Sequence, residues 1–144
     1  MNGYEAPSQE LMRELLRVAH GVRSRVIDSD RRLRLRDAYA LCFYLTRRLR
    51  HRYPDVRLMV GDRVGEHGLM QHHWLEIPSL RLYLDPAFDA LDPFQPVRVG
   101  KISDPEFVTT YRNGLDGNID VSDPRNRPEI LYKSRSAFDP ESRD

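Results

Sequence analysis

The chain has 144 residues, 40% of them hydrophobic, and a formal net charge of +1. This size predicts one domain with a single modest core, and no apolar run approaches the roughly 20 residues that span a bilayer. The polar N-terminal residues do not resemble a signal peptide. We therefore expect a cytoplasmic protein without a membrane partner. The single cysteine, Cys42, excludes an internal disulfide and any zinc site built from several cysteines.

Charge is unevenly distributed along the sequence. Residues 1–60 contain 13 arginines and 7 acidic residues, and this balance could mark a nucleic-acid-binding face. The solvated sides of two arginine-rich helices explain it better, including the arginines at positions 47, 48, 50 and 52 that could otherwise meet phosphates. The chain has no glycine-rich phosphate loop and no known nucleic-acid motif. We therefore expect no nucleic-acid partner.

Two amphipathic helices are predicted in the N-terminal part. The first begins after Ser8, a suitable N-cap, and runs through about Val26 with apolar residues at helical spacing. The second runs from the N-cap Asp37 to about Arg52, with apolar residues three and four positions apart, and Pro54 prevents its continuation.

Three strands follow the helices. Residues 56–60 form the first, ending at Gly61, and residues 71–77 and 80–85 alternate apolar and polar side chains on either side of a short turn. These two runs predict an antiparallel hairpin in which Ile77 faces Leu80 and His72 faces Asp85. A four-residue turn that widens symmetrically would leave that pairing unchanged. One face of the hairpin is apolar, and the other contains ionic, aromatic and His/Asp pairs.

Prolines punctuate the sequence after Asp85. Residues 97–99 are predicted to add an edge strand, and Pro105 begins a short helix through Arg112. From Asn113 onward the composition indicates irregular structure. The predicted architecture is therefore α+β, with two N-terminal helices packed on a small antiparallel sheet. Residues 1–112 form one domain, and residues 113–144 form an irregular, Pro-rich extension.

The predicted His72/Asp85 pair is the first candidate for chemistry. A carboxylate beside an imidazole fixes its tautomer and stabilises its charged form, as a general base requires. Taken alone, such a pair is more often a structural hydrogen bond within a sheet.

The motifs around this pair resemble those of the transglutaminase-like superfamily within the papain-like cysteine peptidase fold. The resemblance covers roughly residues 33–90: a helix, a Val-Arg-Leu-Met-Val strand, His-His-Trp-Leu-Glu at 72–76, and Tyr-Leu-Asp-Pro at 83–86. It implies a catalytic His72 oriented by Asp85, a nucleophilic cysteine at the helix N-terminus, and a peptide or protein substrate. It implies no cofactor and no metal.

The position of the only cysteine departs from this pattern. Counting back from Pro54, the family's cysteine falls near residues 36–38, whereas Cys42 lies about 7.5 Å further along an α-helix and about 140° around it. If the helix begins at Asp37, Cys42 is a small hydrophobe on the packed face. If it begins near Cys42, the helix N-terminus would lower the thiol pKa and the thiol would face His72.

Two further groups of side chains were candidates. Glu66, His67, His72, His73 and Glu76 could supply metal ligands, but adjacent histidines in a strand point to opposite faces, so no metal site is expected. His73 is more simply a core histidine, and Trp74 either lines a substrate groove with Tyr83 or packs in the core.

Two functional hypotheses follow. Either the protein is a thiol-dependent amide hydrolase or acyl transferase that uses Cys42, His72 and Asp85, or it is a catalytically inactive member of that fold. In the second case it would work as a peptide- or protein-binding accessory module.

Overall fold

A computed structural model describes residues 7–29, 38–65, 68–88 and 96–130, with only the backbone for 27–29. It has the predicted α+β class. The helices are α1 (Gln9–Ser29), α2 (Ala38–Leu49) and α3 (Pro105–Thr110), and the strands are β1 (Arg57–Gly65), β2 (Gly68–Ile77), β3 (Leu82–Asp85), β4 (Arg98–Lys101) and β5 (Tyr111–Asp116). No helix in the described part of the chain is long and apolar enough to cross a membrane.

The five strands form one antiparallel sheet in the order β4-β3-β2-β1-β5. The helix boundaries are close to those predicted: the Ser8 hydroxyl accepts the Leu11 amide and caps α1, and α2 begins at Ala38. The predicted N-cap Asp37 lies outside the described residues. The sequence also predicted β4 as an edge strand.

The hairpin of β2 and β3 forms, but its register differs from the predicted one by two residues. Ile77 pairs with Leu82, and Leu75 pairs with Leu84. The turn is four residues wide, as allowed, but asymmetric, because a 3-10 turn at Pro78–Leu80 is followed by Arg81 in the left-handed conformation (φ 53°). A shift of two residues keeps every side chain on its predicted face.

The two faces of the sheet are covered differently. Leu58, Leu75, Ile77, Leu82 and Leu84 point towards α1 and α2 and form the main core with them, here called the helix-side core. The opposite face holds a smaller cluster of Met59, Trp74, Tyr83 and Tyr111, against which Phe107 of α3 packs, here called the far-side cluster. Because side chains alternate along a strand, His72 belongs to the far side and His73 to the helix side.

The segment expected to be irregular begins as a strand. Residues 111–116 form β5, which pairs with β1 at the edge of the sheet. Beyond it the chain still packs on the domain: the Gly117 amide donates to the Leu58 carbonyl, and the Tyr39 hydroxyl donates to the carbonyl of Asn126. The predicted boundary at residue 112 therefore falls inside β5.

Candidate functional site

His72 and Asp85 come together as the alternation of β2 and β3 predicts. They are diagonal rather than direct cross-strand neighbours, and His72 Nε2 lies 2.8 Å from Asp85 Oδ2. Both side chains are buried, with His72 only 6% exposed. Since a carboxylate oxygen only accepts, Nε2 is the protonated nitrogen of His72. Arg63 Nη1 also lies 3.2 Å from Nε2, and the contacts with Asp85 and Arg63 orient the imidazole.

Two residues that sequence reasoning missed complete the cluster around this pair. Arg63 Nη1 donates to Asp85 Oδ2 at 3.1 Å and to the Ala87 carbonyl at 3.2 Å. The Tyr111 hydroxyl donates to the same Oδ2 at 2.7 Å. The Ala87 amide donates to Oδ1 at 2.9 Å. Asp85 is therefore held by four donors, one of which is the permanently charged guanidinium of Arg63.

The electrostatics of Asp85 favour its ionised form. Burial alone would raise the pKa of Asp85, but the hydrogen bonds from His72 and Tyr111 and the positive charges of His72 and Arg63 together lower it below its ordinary value. Burial and the Asp85 charge in turn raise the pKa of Tyr111, which keeps its hydroxyl a donor. The carboxylate is therefore ionised at neutral pH.

Arg63 is almost completely enclosed. Its guanidinium carbon lies 5.6 Å from the centre of the Phe88 ring, and its Nη2 is buried without a hydrogen-bond partner. The alternation of β1 contains a weak signal for this residue, because Met59, Gly61 and Arg63 share one face once β1 is extended past Gly61. Asp85 is its only ion-pair partner within the described ranges, so the two charges depend on each other.

Cys42 lies on the other side of the sheet. It is the fifth residue of α2 and 0% exposed, and it belongs to the helix-side core. Burial, and then the negative charge of Asp85, raise the pKa of the thiol well above its ordinary value. Of the two alternatives, the helix begins at Ala38 and the thiol is a buried hydrophobe. The structure therefore does not bring the sulfur of Cys42 to the ring of His72.

Trp74 does not line a groove. The side chain is 1% exposed and donates to Glu76 Oε2 at 2.9 Å, and its ring packs 4.9 Å from that of Tyr111. Gly61 and Gly114 lie against the indole, and a Cβ added to either would come within 2.8 Å of a ring carbon. Trp74 and Tyr83 are thus parts of the far-side cluster, which corresponds to the packing alternative of the two given for Trp74.

The candidate metal ligands do not form a site in the described residues, which contain no group of three His, Cys, Asp or Glu side chains close enough to hold a metal ion. Glu66 and His67 lie outside the described ranges. His73 is half-buried on the helix side, and its ring meets that of Tyr39 edge-on at 5.4 Å.

Comparison with known proteins gave no match to a family model, a curated protein or a solved structure.

Proposed function

We propose that this protein is a peptide- or protein-binding accessory module, a catalytically inactive member of the transglutaminase-like, papain-like fold, in which His72 and Asp85 serve the core. The placement of Cys42 supports this proposal most directly. A thiolate must reach its base to be activated, and here the chain's only thiol lies beyond the sheet from His72, fully buried. Neither a thiol hydrolase nor an acyl transferase mechanism fits that arrangement.

The partners of His72 support the same interpretation. Asp85 accepts hydrogen bonds from Arg63, Tyr111 and the Ala87 amide as well as from the imidazole. The Asp85 carboxylate compensates the charge of the buried Arg63 guanidinium, and His72 is one of several donors that hold this carboxylate. A hydrogen-bonded buried cluster of this kind fixes the positions of strands and loops, which supports a structural role for the pair.

The candidate surface for a partner lies along β1, on the helix-facing side of the sheet. Val64 pairs with Leu69, and Val60 pairs with Leu115, so the four side chains lie on one face. The two valines are half-buried, whereas Leu69 is 55% and Leu115 is 69% exposed. Leu69 and Leu115 flank β1 on either side, with Asp62 between the two valines on the same face, and a partner lying across β1 could bury both leucines. We call the two valines and the two leucines the hairpin patch.

Selection of peptides from a displayed random library on the wild-type protein tests this proposal. We expect the enriched peptides to bind the double variant Leu69→Ser/Leu115→Ser at least tenfold more weakly, since truncating a central apolar contact costs more than about 1.4 kcal/mol. Val108→Ser is the matched control, because Val108 is exposed to a similar extent but lies on α3, on the far side.

Two results would count against the binding module. Peptides that bind the double variant as well as the wild type would exclude the hairpin patch. Turnover of a model amide or thioester that disappears in His72→Ala would show instead that the histidine acts in catalysis.

A further inference from the structure

A cleft of about 470 Å³ opens between the C-terminal halves of α1 and α2, away from the His72 cluster. Its lining is rich in positive charge. The lining residues are Val22, Arg25, Val26, Tyr44, Arg47, Arg48, His51 and Glu129. Volumes of this order accommodate small-molecule ligands.

Arg25, Arg47 and Arg48 give this cleft most of its positive charge. Within the described residues no carboxylate lies within salt-bridge distance of Arg25, Arg47 or Arg48. By contrast Arg52, which lines the adjacent smaller cavity, pairs with Glu14 at 2.9 Å. Concentrating guanidinium groups in a concave site raises the local positive potential. An anion entering the cleft would meet three planar donor groups suited to phosphate or carboxylate oxygens.

The rest of the lining is compatible with such an anion. Among the described residues that line the cleft, Glu129 is the only acidic one, and the Tyr44 hydroxyl donates a hydrogen bond to it. The cleft therefore keeps a net positive charge even when His51 is neutral. Val22 and Val26 are buried residues of the helix-side core, and they give the cleft an apolar wall. The site thus combines cationic groups with a surface for an apolar body.

A second cavity continues this groove along the same two helices. It has about 240 Å³, and Arg48 and His51 line both cavities. The lining of this smaller cavity includes the ion pair of Glu14 and Arg52. The larger cavity therefore has an excess of positive charge, whereas Glu14 offsets the charge of Arg52 in the smaller one. The anionic part of a ligand is therefore expected in the larger cavity.

We propose that the larger cleft binds a small molecule with a dianionic head group on an apolar body, its head group held by Arg25, Arg47 and Arg48. The concave shape and the apolar wall favour a small molecule over a nucleic-acid backbone, which would need an extended basic surface. The cleft involves none of the hairpin patch, so failure of this proposal leaves the binding module untouched, and the converse holds.

Calorimetric titration with phenyl phosphate and with phthalate tests the site with two sources of the same charge. Inorganic phosphate serves as the probe that lacks the apolar body, and phenol as the probe that lacks the charge. We expect saturable one-to-one binding of at least one aromatic dianion, weaker binding of inorganic phosphate, and no binding of phenol. The double variant Arg47→Gln/Arg48→Gln should bind the dianion at least about tenfold more weakly, as expected when charge-assisted hydrogen bonds are removed.

The matched control is Arg13→Gln/Arg17→Gln, which removes the same charge from exposed positions of α1 that line neither cavity. Its affinity should stay within about twofold of the wild type, because exposed charges that do not touch the ligand are screened by salt. An equal loss in both double variants would mean non-specific attraction and would overturn the proposal, as would the absence of saturable binding by either dianion. Thermal unfolding of each variant verifies that it is folded.

Discussion

The two faces of this sheet solve different packing problems. The helix side is an aliphatic core into which α1 and α2 bury leucines, alanines and Cys42. The far side combines aromatic rings with a buried ionic cluster in which Asp85 accepts hydrogen bonds from His72, Arg63 and Tyr111. Chemistry by a thiol and an imidazole would need one group from each face. A matching motif along the sequence therefore does not ensure a shared site, because here the sheet separates the Cys42 thiol from the His72 imidazole.

The largest effect is expected from breaking the ionic cluster. Asp85→Ala should lower the free energy of unfolding by about 3–5 kcal/mol, because it leaves the Arg63 guanidinium buried without a counter-charge. Urea denaturation measures the change. Asp116→Ala is the control, since Asp116 is exposed and its contact with Arg57 is a surface ion pair, worth at most about 1 kcal/mol. Similar losses in both variants would mean that the buried cluster has no special role.

A smaller effect tests how tightly the far side is packed. Gly61→Ala should destabilise the protein by about 2 kcal/mol, because its Cβ would lie 2.7 Å from a Trp74 ring carbon and 2.8 Å from the Arg112 carbonyl oxygen. Gly21→Ala should have the opposite sign and stabilise by about 0.5–1 kcal/mol, since Gly21 lies inside α1 and a Cβ there meets nothing closer than 4.0 Å. Thermal unfolding compares the two, and a stabilising Gly61→Ala would contradict the packing described.

The smallest effect concerns one hydrogen bond and its dependence on pH. Tyr111→Phe keeps the ring but removes a donor to Asp85, and it should cost about 1.5 kcal/mol at pH 7. Because the folded state lowers the pKa of Asp85, the stability that this carboxylate contributes is complete above its ordinary pKa and is lost as the pH falls through the lowered value. The difference between variant and wild type should therefore shrink on acidification below pH 3.8. A difference that is constant from pH 7 to pH 2 would contradict the account.

Much of the sheet could be predicted because alternation is a strong local signal. It assigned His72 rather than His73 to the side of Asp85. The structure confirms this assignment although the predicted register was wrong by two residues, because a shift of two residues keeps each side chain on the same face. The register error arose from the turn, where Arg81 adopts a left-handed conformation (φ 53°) that its residue type does not favour. Local sequence does not determine such a conformation, which the surrounding structure must stabilise.

The parts of the site that were missed depend on distant contacts. Tyr111 begins β5, a strand whose Asn113 and Gly114 have low β propensity. Its pairing with β1 joins segments about 50 residues apart. Arg63 was missed because β1 was expected to end at Gly61, whereas that glycine instead makes room for the Trp74 ring. The signal for Cys42, by contrast, is local. Its helical neighbours Ala38 and Leu45 are apolar, so a helix that begins near Asp37 places the thiol among apolar residues, as the structure does.

Alkylation of Cys42 by iodoacetamide in the native state tests most directly the claim that the chain's only thiol is separated from His72. The raised pKa and complete burial of the thiol predict negligible labelling at neutral pH, and rapid, complete labelling once the protein is unfolded in urea. Native labelling at a rate close to that of the unfolded chain, falling when His72 is replaced by alanine, would contradict this account and place the thiol beside the histidine.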